Sequence, residues 1–312
     1  MFQSRVSKAT QIAVIGVVVL GMSAISTQAA PCCGGTSASP AWISGDDRVQ
    51  AGFSISRSTV IGDAPEAGLP VFRSSSTSEA TSTARVDLSA LITDRIQASL
   101  LASITQKSLS TTTLNAKNTQ LGDPTIGMAY EAWPEWNYSE WKPRGFLFGQ
   151  LTLPLAKSIY DSTDATLSDA TGSGFTRLSF GALLLKTREP WDFSLTPEIH
   201  RGLARRFNAL SVDPGFGASA LVALGYHLKA YPWRLGFRLQ PVWNQGRRTE
   251  SEGIDQVARS QWVWNTGLDL SILASSSLSV NLNYTDQTLF GPAINTTLSR
   301  TVALGIQRRW PR

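Results

Sequence analysis

The sequence predicts an all-β fold: a transmembrane antiparallel β-barrel of twelve strands, with long extracellular loops and short periplasmic turns. Three observations predict it. A hydropathy period of two recurs after residue 46, long and short gaps alternate between the periodic segments, and aromatic residues gather at segment ends.

The first thirty residues carry Arg5 and Lys8, an apolar run over 12–20, and small residues at Ser26, Thr27, Ala29 and Ala30. That is the layout of a secretory signal peptide, so 1–30 is expected to be removed on export. The apolar run is short for a membrane-spanning helix. An anchored lipoprotein is the rival reading because Cys32 and Cys33 follow closely, but Pro31 stands where a lipidation signal wants a small residue. The stretch 31–46 is expected to be a periplasmic N-terminal segment, and 47–312 the barrel. Two placements of that segment are open: hanging in the periplasm or folding up into the lumen.

The only two cysteines are adjacent, so no disulfide framework staples the fold. Cys32-Cys33-Gly34-Gly35 could form a vicinal disulfide or hold a metal, but no His or carboxylate stands at ligand spacing. A structural role is expected, with no metal and no cofactor. The charge balance is 28 Lys+Arg against 23 Asp+Glu. No run of consecutive basic residues marks an arm for nucleic acid, so the expected partners are outer-membrane lipid and a small-molecule solute.

The strand segments follow in order. In 95–105, Ile96, Ala98, Leu100, Ala102 and Ile104 share one face, while Arg95, Gln97, Ser99 and Ser103 share the other. The same alternation runs through 49–58, 83–92, 125–133, 145–155, 175–186, 191–202, 215–228, 233–245, 260–273, 278–285 and 296–310. Most are near the ~9–11 residues that a tilted strand needs to cross a bilayer. The gaps 59–80, 106–121, 156–174 and 246–259 are long and polar, whereas Thr93-Asp94, 188–190, 230–232 and Ser275-Ser276 are tight turns. Only 134–144 is longer among the short set. Runs of Ser and Thr at 74–78 and 111–113 read as mobile external loop tips.

Aromatics supply the third sign. Trp133, Trp136, Tyr138, Trp141, Trp191, Tyr231, Trp233 and Trp310 fall at periplasmic strand ends. Tyr160, Phe175, Phe207, Phe216, Trp243, Trp262, Trp264 and Tyr284 fall at the opposite ends, so a girdle is expected at each interface. In the last segment Val302, Leu304, Ile306 and Trp310 face out, and the chain ends just past an aromatic residue. Such an ending resembles the assembly signal of outer-membrane barrels, with Pro311 and Arg312 as a departure.

The polar faces nominate a lumen. Arg85, Asp87, Arg95, Glu131, Arg177, Glu198, Arg234, Arg238 and Asp269 are the expected pore-lining charges, joined by Gln97, Gln150, His200, Gln240, Asn265, Asn281 and Asn283. Arg residues in a constricted passage suit an anionic solute. The plainer expectation is that they pair with acids across strands, since an unpaired buried charge is costly. No catalytic set is found: His200 and His227 are the only histidines, neither lies in a nucleophile motif, and both are read as strand-boundary residues, so the chain is not expected to be an enzyme.

Leu121-Gly122-Asp123 followed by an alternating strand, a turn and Gly149-Gln150-Leu151-Thr152-Leu153-Pro154 resembles outer-membrane proteins of the meta-pathway phenol-degradation type, often described as transporters. The likeness covers roughly residues 120–310. In that family a Leu-Pro-Thr-Gly-like element closes the second strand; here Leu155 and Ala156 replace its last two residues. These motifs concern barrel architecture, and no ligand residues come with them. The resemblance implies a channel or transporter for small solutes, with aromatic or weakly acidic compounds as a lead. The alternative is a non-transporting structural or surface-interaction barrel that acts through its external loops.

Overall fold

The computed structural model describes residues 42–43, 47–65, 69–74, 76–135 and 139–311. The expected signal peptide and the Cys32-Cys33 pair lie outside them, as do Trp136 and Tyr138.

Among the described residues, every regular element is a strand. In chain order they are β1 (Asp47–Ala64), β2 (Val71–Phe72), β3 (Ser78–Leu91), β4 (Ile96–Ser110), β5 (Asn115–Leu121), β6 (Thr125–Trp133), β7 (Arg144–Thr152), β8 (Arg177–Arg188), β9 (Trp191–Gly202), β10 (Arg205–Phe207), β11 (Leu210–Asp213), β12 (Phe216–His227), β13 (Trp233–Asn244), β14 (Arg248–Ser251), β15 (Ile254–Val257), β16 (Gln261–Ser275), β17 (Leu278–Asp286) and β18 (Thr296–Pro311). Twelve of these form the wall: β1, β3, β4, β6, β7, β8, β9, β12, β13, β16, β17 and β18. Each pairs antiparallel with the next, and β18 returns to pair with β1 from Asp47↔Pro311 to Ala64↔Thr296. The twelve-stranded closed barrel is the expected one. It closes because hydrocarbon offers no hydrogen bonds to backbone groups, so an open sheet edge inside a bilayer would strand a row of polar atoms.

The period of two becomes two surfaces. Val86, Leu88, Leu100, Ile126, Met128, Phe180, Leu224, Leu235, Leu268, Val302, Leu304 and Ile306 project outward and are exposed, forming a lipid-facing band. Their strand neighbours Asp87, Ser89, Gln97, Ser99, Thr125, Gln150, Ser179, Asn281 and Asn283 project inward and are buried. This inversion of the soluble-protein pattern is what the bilayer demands of a strand wall.

The two ends differ in connection length. At one end the wall strands join through short links such as 92–95, 189–190 and 276–277. At the other they join through 153–176 and 287–295 and through segments that carry β2, β5, β10, β11, β14 and β15. Two expectations about the long-loop end are corrected here. The gap 106–121 is not a loose loop: β4 continues to Ser110 and pairs in register with β5, and Thr111 closes the hairpin by receiving and donating bonds to Leu114. Its polar residues lack the hydropathy alternation that marks a wall strand, and backbone pairing holds it together with a bond from Gln106 Nε2 to the Thr119 hydroxyl at 2.8 Å. Tyr160, Phe175 and Phe207 are not girdle residues. They pack together with Val212 and Leu210 as a small core among the loops, with ring centroids 4.9–5.9 Å apart. The girdle at the short-turn end does form from Trp133, Trp141, Trp191, Tyr231, Trp233 and Trp310, all exposed.

The loops 203–215 and 245–260 together add a separate four-stranded sheet, in the order β10-β11-β14-β15. The 153–176 loop is tied down by Asp123, whose carboxylate accepts from the Ala156 and Ser173 backbone N–H groups at 3.0 and 2.8 Å and from the Ser173 hydroxyl at 3.0 Å. The acid of the Leu-Gly-Asp element is therefore a loop anchor.

Candidate functional site in the barrel interior

The interior is a set of inward-facing side chains drawn from alternate positions of each strand. Asp87, Glu131, Arg234 and Asp269 are buried there, and Arg85 and Arg238 nearly so. Arg177 opens β8 and Glu198 lies in β9, both toward the long-loop end. Arg95 is different: it precedes the first residue of β4, in the bend 92–95, and belongs to the rim at the short-turn end.

Most of these charges find partners across or along the wall. Arg85 Nη2 lies 2.5 Å from Asp87 Oδ1, and Arg144 Nε donates to Glu131 Oε1 at 2.6 Å. A larger network crosses β9, β12, β13 and β16. Arg234 donates through Nε and Nη2 to Asp192 at 2.7 and 2.6 Å, and through Nη1 to Asp269 at 2.5 Å. Arg238 Nε lies 3.2 Å from the other Asp269 oxygen. His227 Nε2 is 2.8 Å from Asp192 Oδ2 but off the line of a hydrogen bond. His227 and His200 are thus inward residues held against polar neighbours, His200 Nε2 being 3.1 Å from Asn244 Oδ1.

Glycine makes the network possible. A Cβ at Gly225 would overlap Arg234 and Asp192, and one at Gly236 would overlap the Asp269 carboxylate. The inward slots of these two residues are filled by guanidinium and carboxylate groups reaching sideways from adjacent strands. Asp192 and Arg144 are absent from the lining expected from sequence. Strand parity could have found them, because Asp192 shares its face with Ser194, Glu198 and His200, and Arg144 with Phe146, Phe148 and Gln150.

One sector of the wall is apolar inside. Ala129, Phe146, Phe148, Leu183 and Leu185 point inward from β6, β7 and β8, and Trp42 packs against them with its ring 5.5 Å from that of Phe148. Of the two placements open for 31–46, Trp42 and Ile43 therefore take the lumen. Gln97 of β4 grips the Ile43 backbone with both ends of its amide: Ile43 N donates to Oε1 at 2.7 Å, and Nε2 donates to Ile43 O at 3.3 Å. Gly127 leaves room for the indole, since a Cβ there would come within 2.7 Å of it. Among the described residues, the Trp42 indole N–H is buried with no hydrogen-bond partner. Such an orphan donor costs about 1–3 kcal/mol, against about 3–5 kcal/mol for the burial of the ring. The segment is held, but not as firmly as a fully satisfied one.

No family model matches the chain, and no curated protein matches it either. Solved structures do. An outer-membrane channel from Pseudomonas putida F1 superposes with a TM-score of 0.65 at 12% identity, covering 85% of this chain and 96% of that one. The fold is that of an outer-membrane β-barrel. Its place is the bacterial outer membrane. More distant barrels also align: the beta domain of the Bordetella autotransporter BrkA with a TM-score of 0.48, at 9% identity over 85% of this chain and 100% of that one, and the NanC porin with 0.47, at 9% identity over 82% and 98%.

Proposed function

We propose that this barrel is an outer-membrane channel for small solutes, shut in the present state by the segment that precedes its first strand. One observation carries the reading. The apolar sector of the lumen is filled by Trp42, which belongs to no wall strand, while the wall closes on itself through β1 and β18 without that segment's help. Withdrawing Trp42 and Ile43 would leave the wall paired and expose Phe146, Phe148, Leu183 and Leu185 to the passage. A path lined on one side by these rings and on the other by ion-paired Asp and Arg suits small aromatic or weakly acidic compounds. The long-loop end then faces outside and the short-turn end faces the periplasm, as is general for such barrels.

The alternative of a surface-interaction barrel is favoured by the four-stranded sheet at the long-loop end, which is more built than a bare loop cluster. Liposome swelling separates the two. With the full chain and Trp42→Ala reconstituted in parallel, the channel reading expects the variant to admit small sugars and benzoate faster than the native chain. Rates for both that match protein-free liposomes, with folding confirmed by heat-modifiable gel migration, would leave only the second reading.

A further inference from the structure

At the long-loop end, where β8 and β16 begin and β9 and β13 finish, the wall opens into a cavity of about 270 Å³. Three guanidinium-bearing residues line it, Arg177, Arg247 and Arg259, with His200 and Asn244 beside them. None of the residues lining it is acidic. Among the described residues, neither Arg177 nor Arg247 has a carboxylate within 4.0 Å. Arg247 instead donates to the Tyr160 hydroxyl at 3.3 Å and lies over the Phe175 ring.

The acids within electrostatic range of Arg177 are Glu198 and Asp123, and neither lines the cavity. Asp123 is occupied by its three loop donors. Arg247 is in range of Arg177 as well, so two like charges face one space with no counter-charge inside it. Elsewhere in this lumen Arg234, Arg85 and Arg144 all have carboxylates within hydrogen-bond distance. The cavity floor is also specifically built. Gly217 sits where His200 and Asn244 meet, and a Cβ there would overlap both. Gly215, at φ +72°, carries the turn that lets Gln245 bond the Phe216 backbone at 3.2 Å.

We infer that this cavity is a binding site for a small organic carboxylate, a dicarboxylate being the fullest match to two guanidinium groups that share one space. Guanidinium pairs with carboxylate through parallel charge-assisted hydrogen bonds, and a partly enclosed mouth strengthens such pairs relative to open water. The site rests on the channel reading for its purpose, as the point where an anionic solute is concentrated before entry.

The test is calorimetric titration of the refolded full chain in detergent with succinate, and with 1,4-butanediol as the uncharged probe of equal length. Planar-bilayer conductance in KCl is recorded on the same preparation and on Trp42→Ala refolded in the same way. Succinate is expected to bind and the diol not to. Arg177→Gln and Arg247→Gln should each weaken succinate by about tenfold or more, the scale of one lost charge-assisted hydrogen bond. Arg248→Gln, whose side chain is paired with Asp255 at 2.6 Å outside this cavity, should leave it unchanged. Equal heats for succinate and the diol, or folded Arg177 and Arg247 variants that bind like the native chain, overturn the site. Conductance without succinate binding sinks the site alone; succinate binding with neither the native chain nor Trp42→Ala conducting keeps the site and sinks the channel reading.

Discussion

Gly236 and Gly52 both face the lumen, yet they should answer differently to a single added methyl group. At Gly236 the new Cβ falls on the Asp269 carboxylate, which cannot yield without loosening its bonds to Arg234 and Arg238. At Gly52 the nearest atom is Asp87 Cβ at 3.7 Å, an ordinary contact. Gly236→Ala is expected to lower stability by about 1–3 kcal/mol. Gly52→Ala should stay within about 0.5 kcal/mol. Urea midpoints of refolding into lipid vesicles measure both, and equal midpoints would show that the network is not rigid. Outside the membrane, Asp164 in the 153–176 loop accepts bonds from the Ser168 and Thr166 hydroxyls and from Thr166 N, and these hold its carboxyl down to about 2. A depressed carboxyl contributes order above its unfolded pKa of about 3.9 and loses it as pH falls through the folded value. Protease cleavage within 153–176 should therefore be flat from pH 7 to about 4 and rise toward pH 2, with an acid-active protease as probe. Asp164→Asn should remove that rise.

At the scale of elements, the wall strands were legible because the lipid-facing positions of a crossing must be apolar, as Leu100 and Ile104 are in β4, and polar residues such as Gln97 and Ser99 alternate with them even though Leu101 also turns inward. The hairpin of β4 with β5 and the sheet of β10, β11, β14 and β15 were not. The β4–β5 hairpin is polar along both faces, and the apolar residues of the small sheet, Phe207, Leu210 and Val212, sit in strands of three and four residues, too short to show a hydropathy period. The site was legible in part. Parity nominated Arg234 and Asp269, but nothing in the sequence says that Arg234 lies between Asp192 and Asp269, or that Trp42 turns inward. Pro197 and Pro241 mark the wall's weak places. Pro197 pairs with Ala220 on one side, while the β8–β9 register skips from Gly181↔Glu198 to Leu184↔Leu195. Beside Pro241 the β12–β13 register skips from Ser219↔Val242 to Val222↔Leu239. Proline lacks the donor a ladder needs. Peptides spanning 182–183, 196–197, 220–221 and 240–241 should exchange amide hydrogen faster in micelles than those over the β1–β18 seam. Uniform protection around the wall would count against two weak places.

The whole molecule separates into a wall that is complete by itself and two residues, Trp42 and Ile43, that pack against its inside. Closure rests on backbone pairing around twelve strands, whereas the occlusion we propose rests on one indole, one amide grip by Gln97 and the apolar sector that they cover. The difference in strength between the two sets the expected behaviour, with the barrel persisting when the segment leaves. Single-channel recording in planar bilayers tests this most directly, with the native chain compared against Trp42→Ala under the same salt and voltage. The account predicts small or infrequent conductance steps for the native chain and larger or longer-lived ones for the variant, from proteins of equal folded fraction. Identical traces from the two, whether silent or fully open, would contradict it.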